Sequence, residues 1–187
     1  MSSELEKMGL DGFVSSSNNV DNEIEVLKSK SLAREVVNNL GLFVTYKDED
    51  EFPSRELYRT SPVVVSLTPQ EAEKLSAPME VEMTLFPNGG MDVLITVKDK
   101  EYRKQFEQLP AVFPTDEGTV AFFESKDTLA VNQAKEESKE RHINAFINRP
   151  MSVAKGYIQS LSIAPTSKTT SVAVLSLRNS NTQRGKD

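Results

Sequence analysis

The stretch that most restricts the architecture of this chain is Val172 to Leu177, apolar at every position except Ser176. Side chains alternate between faces along an extended backbone, so Val172 and Val174 point one way and Ala173, Leu175 and Leu177 the other. A strand that is apolar on both sides reads as the middle of a sheet covered on both faces. Just before it, Val153, Ala154, Tyr157, Ile158 and Leu161 recur at one-turn spacing and predict an amphipathic helix. After it, Asn179 and Ser180 offer N-cap side chains to a helix that has barely begun at Asp187. The C-terminal part is therefore expected to run helix, central strand, and the opening of a second helix.

Upstream, residues 1–18 are polar and rich in Gly and Ser, with Leu10, Phe13 and Val14 as the only anchors, and read as a loosely held lead-in. Val20, Ile24 and Leu27 share one helical face, whereas Leu32, Val36 and Leu40 lie more than a quarter turn away. Ser29-Lys30-Ser31 sits at the phase jump, which predicts two helices meeting at an angle, with Gly41 capping the second. Leu42 to Tyr46 reads as a strand followed by an exposed acidic loop, Lys47 to Glu51. Pro62 opens a strand from Val63 to Leu67, and Pro69 with the acids after it suits a first helical turn.

The clearest local pattern is a β-hairpin. Val81, Met83 and Leu85 alternate with Glu80, Glu82 and Thr84, and Met91, Val93, Ile95 and Val97 alternate with Asp92 and Thr96. Pro87-Asn88-Gly89-Gly90 joins them with residues that tolerate positive φ. Tyr102 to Phe113 is mixed, with Pro110 and Pro114 breaking any long element. Thr119 to Phe123, and the alternation of Ile143, Ala145 and Ile147, read as strands. The segment 124–141 is the most charged and is expected to be a partly helical excursion. The fold class that results is α+β: a mixed sheet with helices packed on it, built from both chain ends as one unit over 19–187, with a β-rich insertion at about 68–125.

Composition excludes several classes. At 187 residues with 37% hydrophobic and 27% charged side chains, the chain can bury one core and is not a disordered polyelectrolyte. A net charge of −6 opposes a general nucleic-acid binder and simple docking on an anionic membrane. Without cysteine, disulfides and thiolate metal sites are ruled out. No apolar run approaches the roughly 18–20 residues that cross a bilayer, and the acidic N-terminus lacks the regions of a signal peptide.

Catalytic patterns are thin. The single histidine, His142, has no second histidine or cysteine to complete a zinc site, and reads as a surface or packed side chain. No G-x-S-x-G elbow supports a nucleophilic serine. Glu80 and Glu82 share the wet face of the hairpin, where carboxylates keep ordinary acidity instead of acting as a raised-pKa acid. Arg184-Gly185-Lys186 and Lys155-Gly156-Tyr157 lack the spacing and hydroxyl of a phosphate loop. The polar run from Pro165 to Thr170 reads as a loop leading into the strand, with a sugar or lipid headgroup as the less economical occupant. No catalytic residue, cofactor or metal is expected.

Two end segments, VDNEIEVLKSKSLAREVVNNLGL and SIAPTSKTTSVAVLSLRNSNTQRGKD, carry a resemblance. Together they resemble the extracytoplasmic region of the Wzz-type chain-length determinants, the polysaccharide co-polymerases. The likeness is to the tyrosine-kinase-linked branch that serves capsular and exopolysaccharide export in Bacteroides-like bacteria. It implies a non-catalytic periplasmic domain at the inner membrane, between two transmembrane helices that this chain does not contain. It also implies a homo-oligomer acting with a polysaccharide polymerase and an outer-membrane exporter, with polysaccharide itself as a further partner and any kinase outside this region.

Arg178, Arg184 and Lys186 would then face the bilayer or a neighbouring subunit, and Leu32, Val36 and Leu40 would offer an apolar subunit contact. Many members carry a long helical protrusion in the middle; strands and prolines here suggest a flatter module. The alternative is a glycan- or peptide-sensing extracellular domain of a membrane signalling protein, although the absence of tryptophan and the scatter of Tyr46, Tyr58, Tyr102 and Tyr157 do not mark a pocket.

Overall fold

The computed structural model describes residues 20–126, 139–166, 172–179 and 181–186. The lead-in, most of the charged excursion, Ser180 and much of the Pro165 to Thr170 run lie outside the described residues.

The hairpin organises the larger sheet. β4 (Met79–Leu85) and β5 (Met91–Val97) pair antiparallel, and each buries every second residue. Their turn closes with Gly89 at φ +88° and with Asn88 Oδ1 accepting from the Gly90 N–H at 3.0 Å. β6 (Lys100–Phe106) continues the meander on the β5 side. On the β4 side lies β9 (Arg141–Ile147), which also pairs with β1 (Val44–Asp48), and the short β2 (Arg55–Glu56) closes that edge. The sheet order β2-β1-β9-β4-β5-β6 thus joins an N-terminal strand to one from the later part of the chain, and the β-rich middle extends it. All these pairings are antiparallel.

A second sheet, ordered β3-β8-β7, uses β3 (Val63–Ser66), β8 (Gly118–Glu124) and β7 (Ala111–Thr115). Both sheets bury one face in the same hydrophobic cluster, with Met79, Ile95, Ile143 and Phe122 among its fully buried members. Phe106 of β6 meets Phe113 edge-on at 6.0 Å and lies 5.8 Å from Phe122. At the other end, the Tyr46 hydroxyl on β1 accepts from the Val65 N–H at 2.9 Å and donates to the Val65 carbonyl at 3.3 Å. Burial, only partly opposed by this backbone contact, pushes the Tyr46 phenol up to about 12. Tyr102 to Phe113 spans parts of two strands, with Pro110 in the connection between them and only Pro114 inside one. Pro114 is tolerated because β7 is an edge strand, where a missing N–H leaves no partner unsatisfied.

Helices close the core. α1 (20–27) and α2 (Lys30–Asn39) break at Ser29, whose hydroxyl accepts from the Leu32 N–H at 3.3 Å. Gly41, at φ +64°, ends α2: its N–H reaches the Asn38 carbonyl and the Leu42 N–H reaches that of Val37, a Schellman closure. α3 (Pro69–Lys74) starts at a Thr68–Glu71 capping box. α4 (Pro150–Ser160) has no side-chain cap of its own. Glu73 takes that place by accepting from the Met151 N–H at 3.0 Å. No helix among the described residues is long and apolar enough to cross a membrane.

Two expectations are corrected. The strand predicted at Val172 to Leu177 exists as β11 (Ala173–Leu177), but it is not the centre of a sheet. It pairs only with β10 (Leu161–Pro165), forming a separate two-stranded ribbon. Val172, Val174 and Leu175 are more than half exposed. Apolarity on both faces says that a strand needs cover; it does not say which strands of the chain provide it. The central strand contributed by the later part of the chain is instead β9. The second correction is Asp48, placed by sequence in an exposed acidic loop. Its side chain is buried at the end of β1, where it pairs with Arg141 at 2.8 Å.

Candidate interaction surface

The helices and strands at the two ends of the described chain meet in one layer. α2 packs along α4, and the β10–β11 ribbon follows directly from α4. Between them lies an apolar cleft of about 230 Å³ lined by Leu27, Leu32, Val36, Leu40, Ile158, Leu161, Leu175 and Leu177. The structure thus gathers the three apolar positions singled out on α2, Leu32, Val36 and Leu40, and adds β11 as their opposite wall. Val36 stays exposed, whereas Leu32 and Leu40 are half-buried and Leu40 also touches the core.

The basic group Arg178, Arg184 and Lys186 does not act together. Arg178 and Lys186 are exposed, but Arg184 turns inward with only 9% of its side chain accessible. It sits on α5 (Thr182–Lys186), where Asn181 Oδ1 accepts from the Gln183 and Arg184 N–H groups. Its guanidinium pairs with Glu56 at 2.8 Å, donates to the Tyr157 hydroxyl at 3.0 Å, and donates to the Leu42 carbonyl. One side chain therefore ties α5 to β2, α4 and the α2–β1 turn. Planar guanidinium donors suit such a multi-directional joint better than an ammonium would. Nothing local in the sequence marks this, because Glu56 lies 128 residues away.

The polar candidates take structural positions. His142 Nδ1 lies 2.8 Å from Asp50 Oδ1, and the His142 backbone N–H donates to Asp50 Oδ2 at 2.8 Å. Desolvation raises the Asp50 carboxyl, but these two bonds and the nearby charges of His142 and Arg141 outweigh it and hold it below the ordinary aspartate value. The pair clips the end of β1 to β9. Glu80 and Glu82 share the outward face of β4, as the alternation predicts; Asn144 lies 3.5 Å from Glu80, and Glu82 is exposed.

No protein-family model matches the chain, and no curated protein matches it. The chemistry of its surfaces is therefore the basis for a functional reading.

Proposed function

We propose that this chain is a non-catalytic scaffold domain of a polysaccharide co-polymerase. It would work at the periplasmic face of the inner membrane and influence the length and export of a capsular polysaccharide or exopolysaccharide through subunit assembly. The observation that carries this reading is where the apolar surface lies. Ten large hydrophobic side chains are exposed among the described residues, and six of them (Val26, Leu27, Val36, Val172, Val174 and Leu175) belong to the terminal layer. Leu27, Val36 and Leu175 meet around the cleft and Val174 lies on the other face of β11, so the layer exposes apolar surface on both sides, which marks contact surface more often than free surface. Packing the layer against the equivalent layer or flank of a neighbour covers β11, whose sequence is that of a strand with neighbours on both faces. The partners implied are further copies of the chain, the polymerase and the outer-membrane exporter.

The chain has no native cysteine, so once any cysteine outside it has been replaced, single-cysteine crosslinking reports on the introduced position alone. In the intact membrane protein, Val36→Cys and Val174→Cys are expected to form crosslinked species between subunits. Arg103→Cys, on the open face of the larger sheet, is expected not to. Crosslinking at all three positions alike, or at none, removes the assembly reading.

A further inference from the structure

Each of the three sheets among the described residues has two edges, and all but one of these edges are guarded. An open edge is a row of unpaired N–H and C=O groups, and charges, proline, shortness or a covering group ordinarily keep it from pairing with another chain. In the larger sheet, β6 carries Lys100, Glu101, Arg103 and Lys104, and β2 is only Arg55 and Glu56. In the second sheet, β7 contains Pro114, and the Tyr46 hydroxyl occupies both the N–H and the C=O of Val65 on β3. In the ribbon, β10 ends in Pro165. β11 has none of these guards: Ala173 to Leu177 contains neither charge nor proline.

The ladder fixes which backbone groups that edge presents. The Thr166 N–H donates to the Val172 carbonyl at 3.0 Å across the ribbon, so Val172 turns its backbone toward β10. The N–H and C=O groups of successive residues alternate between the two sides of a strand, which turns Val174 and Ser176 the same way, opposite Ala164 and Ser162. Ala173, Leu175 and Leu177 therefore aim their N–H and C=O groups away from β10, on the side where β11 has no neighbouring strand. On β10 the same alternation turns Pro165 outward, where its missing N–H blunts the edge.

We propose that β11 is the strand by which two copies of this chain pair, edge to edge and antiparallel, with Leu175 facing Leu175 of the second copy. Full overlap of the strand then sets Ala173 opposite Leu177 and Val174 opposite Ser176, and joins the two ribbons into one sheet. Two strands are marginal alone, and three or more with an apolar face are the ordinary threshold for stability, so each copy completes the other. The antiparallel sense follows from charge. Arg178 directly follows β11, and a parallel pair in register would set the two arginines side by side, whereas the antiparallel pair carries them to opposite ends. An edge without charge selects no charged partner, and a strand apolar on both faces suits one of the same kind; β11 meets both conditions for its own copy. The contact is isologous and closes on itself. It deepens the assembly reading above and rests on that reading's premise that a further copy covers this layer.

The test is sedimentation equilibrium of the 187-residue chain up to about 1 mM, with thermal unfolding of every variant. A reversible monomer–dimer equilibrium is expected. Leu175→Pro deletes an N–H that points away from β10, so it should leave the unfolding midpoint nearly unchanged and weaken dimerisation about tenfold or more. Leu175→Lys keeps the backbone donor and sets two like charges across the two-fold. It should weaken the dimer to the same degree, and it carries the test if the proline disturbs the ribbon. Register is read with single cysteines and a short thiol crosslinker. Leu175→Cys should join to itself; Ala173→Cys should not, its two copies standing about 13 Å apart, but a mixture of Ala173→Cys with Leu177→Cys should. No dimer at about 1 mM, a dimer indifferent to both Leu175 variants, or Ala173→Cys joining to itself as readily as Leu175→Cys each overturns the pairing. If pairing fails while Val36→Cys and Val174→Cys still crosslink in the intact protein, the scaffold stands without this contact. If the dimer forms while those two crosslink no more than Arg103→Cys, the pairing stands without the scaffold.

Discussion

The two-sheet body and the terminal layer are built from similar apolar residues and treat them in opposite ways. In β5, Met91, Val93, Ile95 and Val97 are all buried and face the second sheet or the helices. In β11 an equally apolar run leaves Val174 at 52% and Leu175 at 56% exposure. The difference is one of neighbours. β5 has a paired strand on each edge and a packed layer on one face, while β11 has one partner strand and a shallow cleft. A two-stranded ribbon is marginal alone in water. The larger sheet is thus covered on its apolar face, whereas the terminal layer is incompletely buried within one chain, as is the outer face of the second sheet at Val64, Val112 and Phe123.

That contrast can be broken by substitution. The largest effect is expected at the buried ion pair that ends β1 and β9. The side chains of Asp48 and Arg141 are 3% and 13% exposed, and Asp48→Ala leaves an arginine buried without its counter-charge. A loss of about 3–5 kcal/mol is expected in urea unfolding, with little loss if both are replaced by apolar residues of similar volume.

Next comes a matched pair, Ile95→Ala in the body and Leu175→Ala in the ribbon. The first removes a fully buried side chain and should cost about 2–5 kcal/mol; the second should stay within about 0.5 kcal/mol in the isolated chain. Equal costs would mean that the ribbon belongs to the core. A larger cost for Leu175→Ala in the assembled protein than in the isolated chain would sharpen the division.

A third test concerns the turn entering β8. Gly118 has φ +142°, and a Cβ there would stand 2.9 Å from Leu67 Cδ1. Gly118→Ala should cost about 1–3 kcal/mol through overpacking, read as a lowered unfolding midpoint. A smaller loss is expected at the α3 cap, where Thr68→Ala should cost about 1 kcal/mol.

The cap also has a pH signature. The Thr68 hydroxyl, followed by the Thr119 N–H, holds the Glu71 carboxyl below its ordinary 4.5. A depressed carboxyl adds stability that is complete above that ordinary value and is lost as pH falls through the lower, folded-state value. Thr68→Ala should therefore flatten the acid limb of the stability curve below pH 4.5 and leave the neutral region displaced by a constant amount.

Much of the body was legible before any coordinates. The hairpin, the break at Ser29, the Gly41 cap and the Pro69 helix start are all written in residues within a few positions of one another. β6 was not legible, because an edge strand of Lys100, Glu101, Arg103, Lys104 and Gln105 carries the charges that protect a free edge and so hides its alternation. β7 was masked by Pro114, which reads as a breaker unless the strand is known to be an edge. Of the residues lining the apolar cleft, Leu32, Val36 and Leu40 were visible as a helical stripe. The inward turn of Arg184 was not, since its partners come from three distant segments.

By itself the sequence determined the local periods, the caps and turns, and the α+β class, because these depend on side-chain spacing along a short length of backbone. Tertiary structure alone decided that β9 and not β11 enters the large sheet, that Asp48 is buried, and that Arg184 is a joint. The physical reason is common to all three. Whether an apolar face is covered, a charge matched or an acceptor satisfied depends on atoms far away in the chain, and strand periodicity is identical at the centre of a sheet and at its rim.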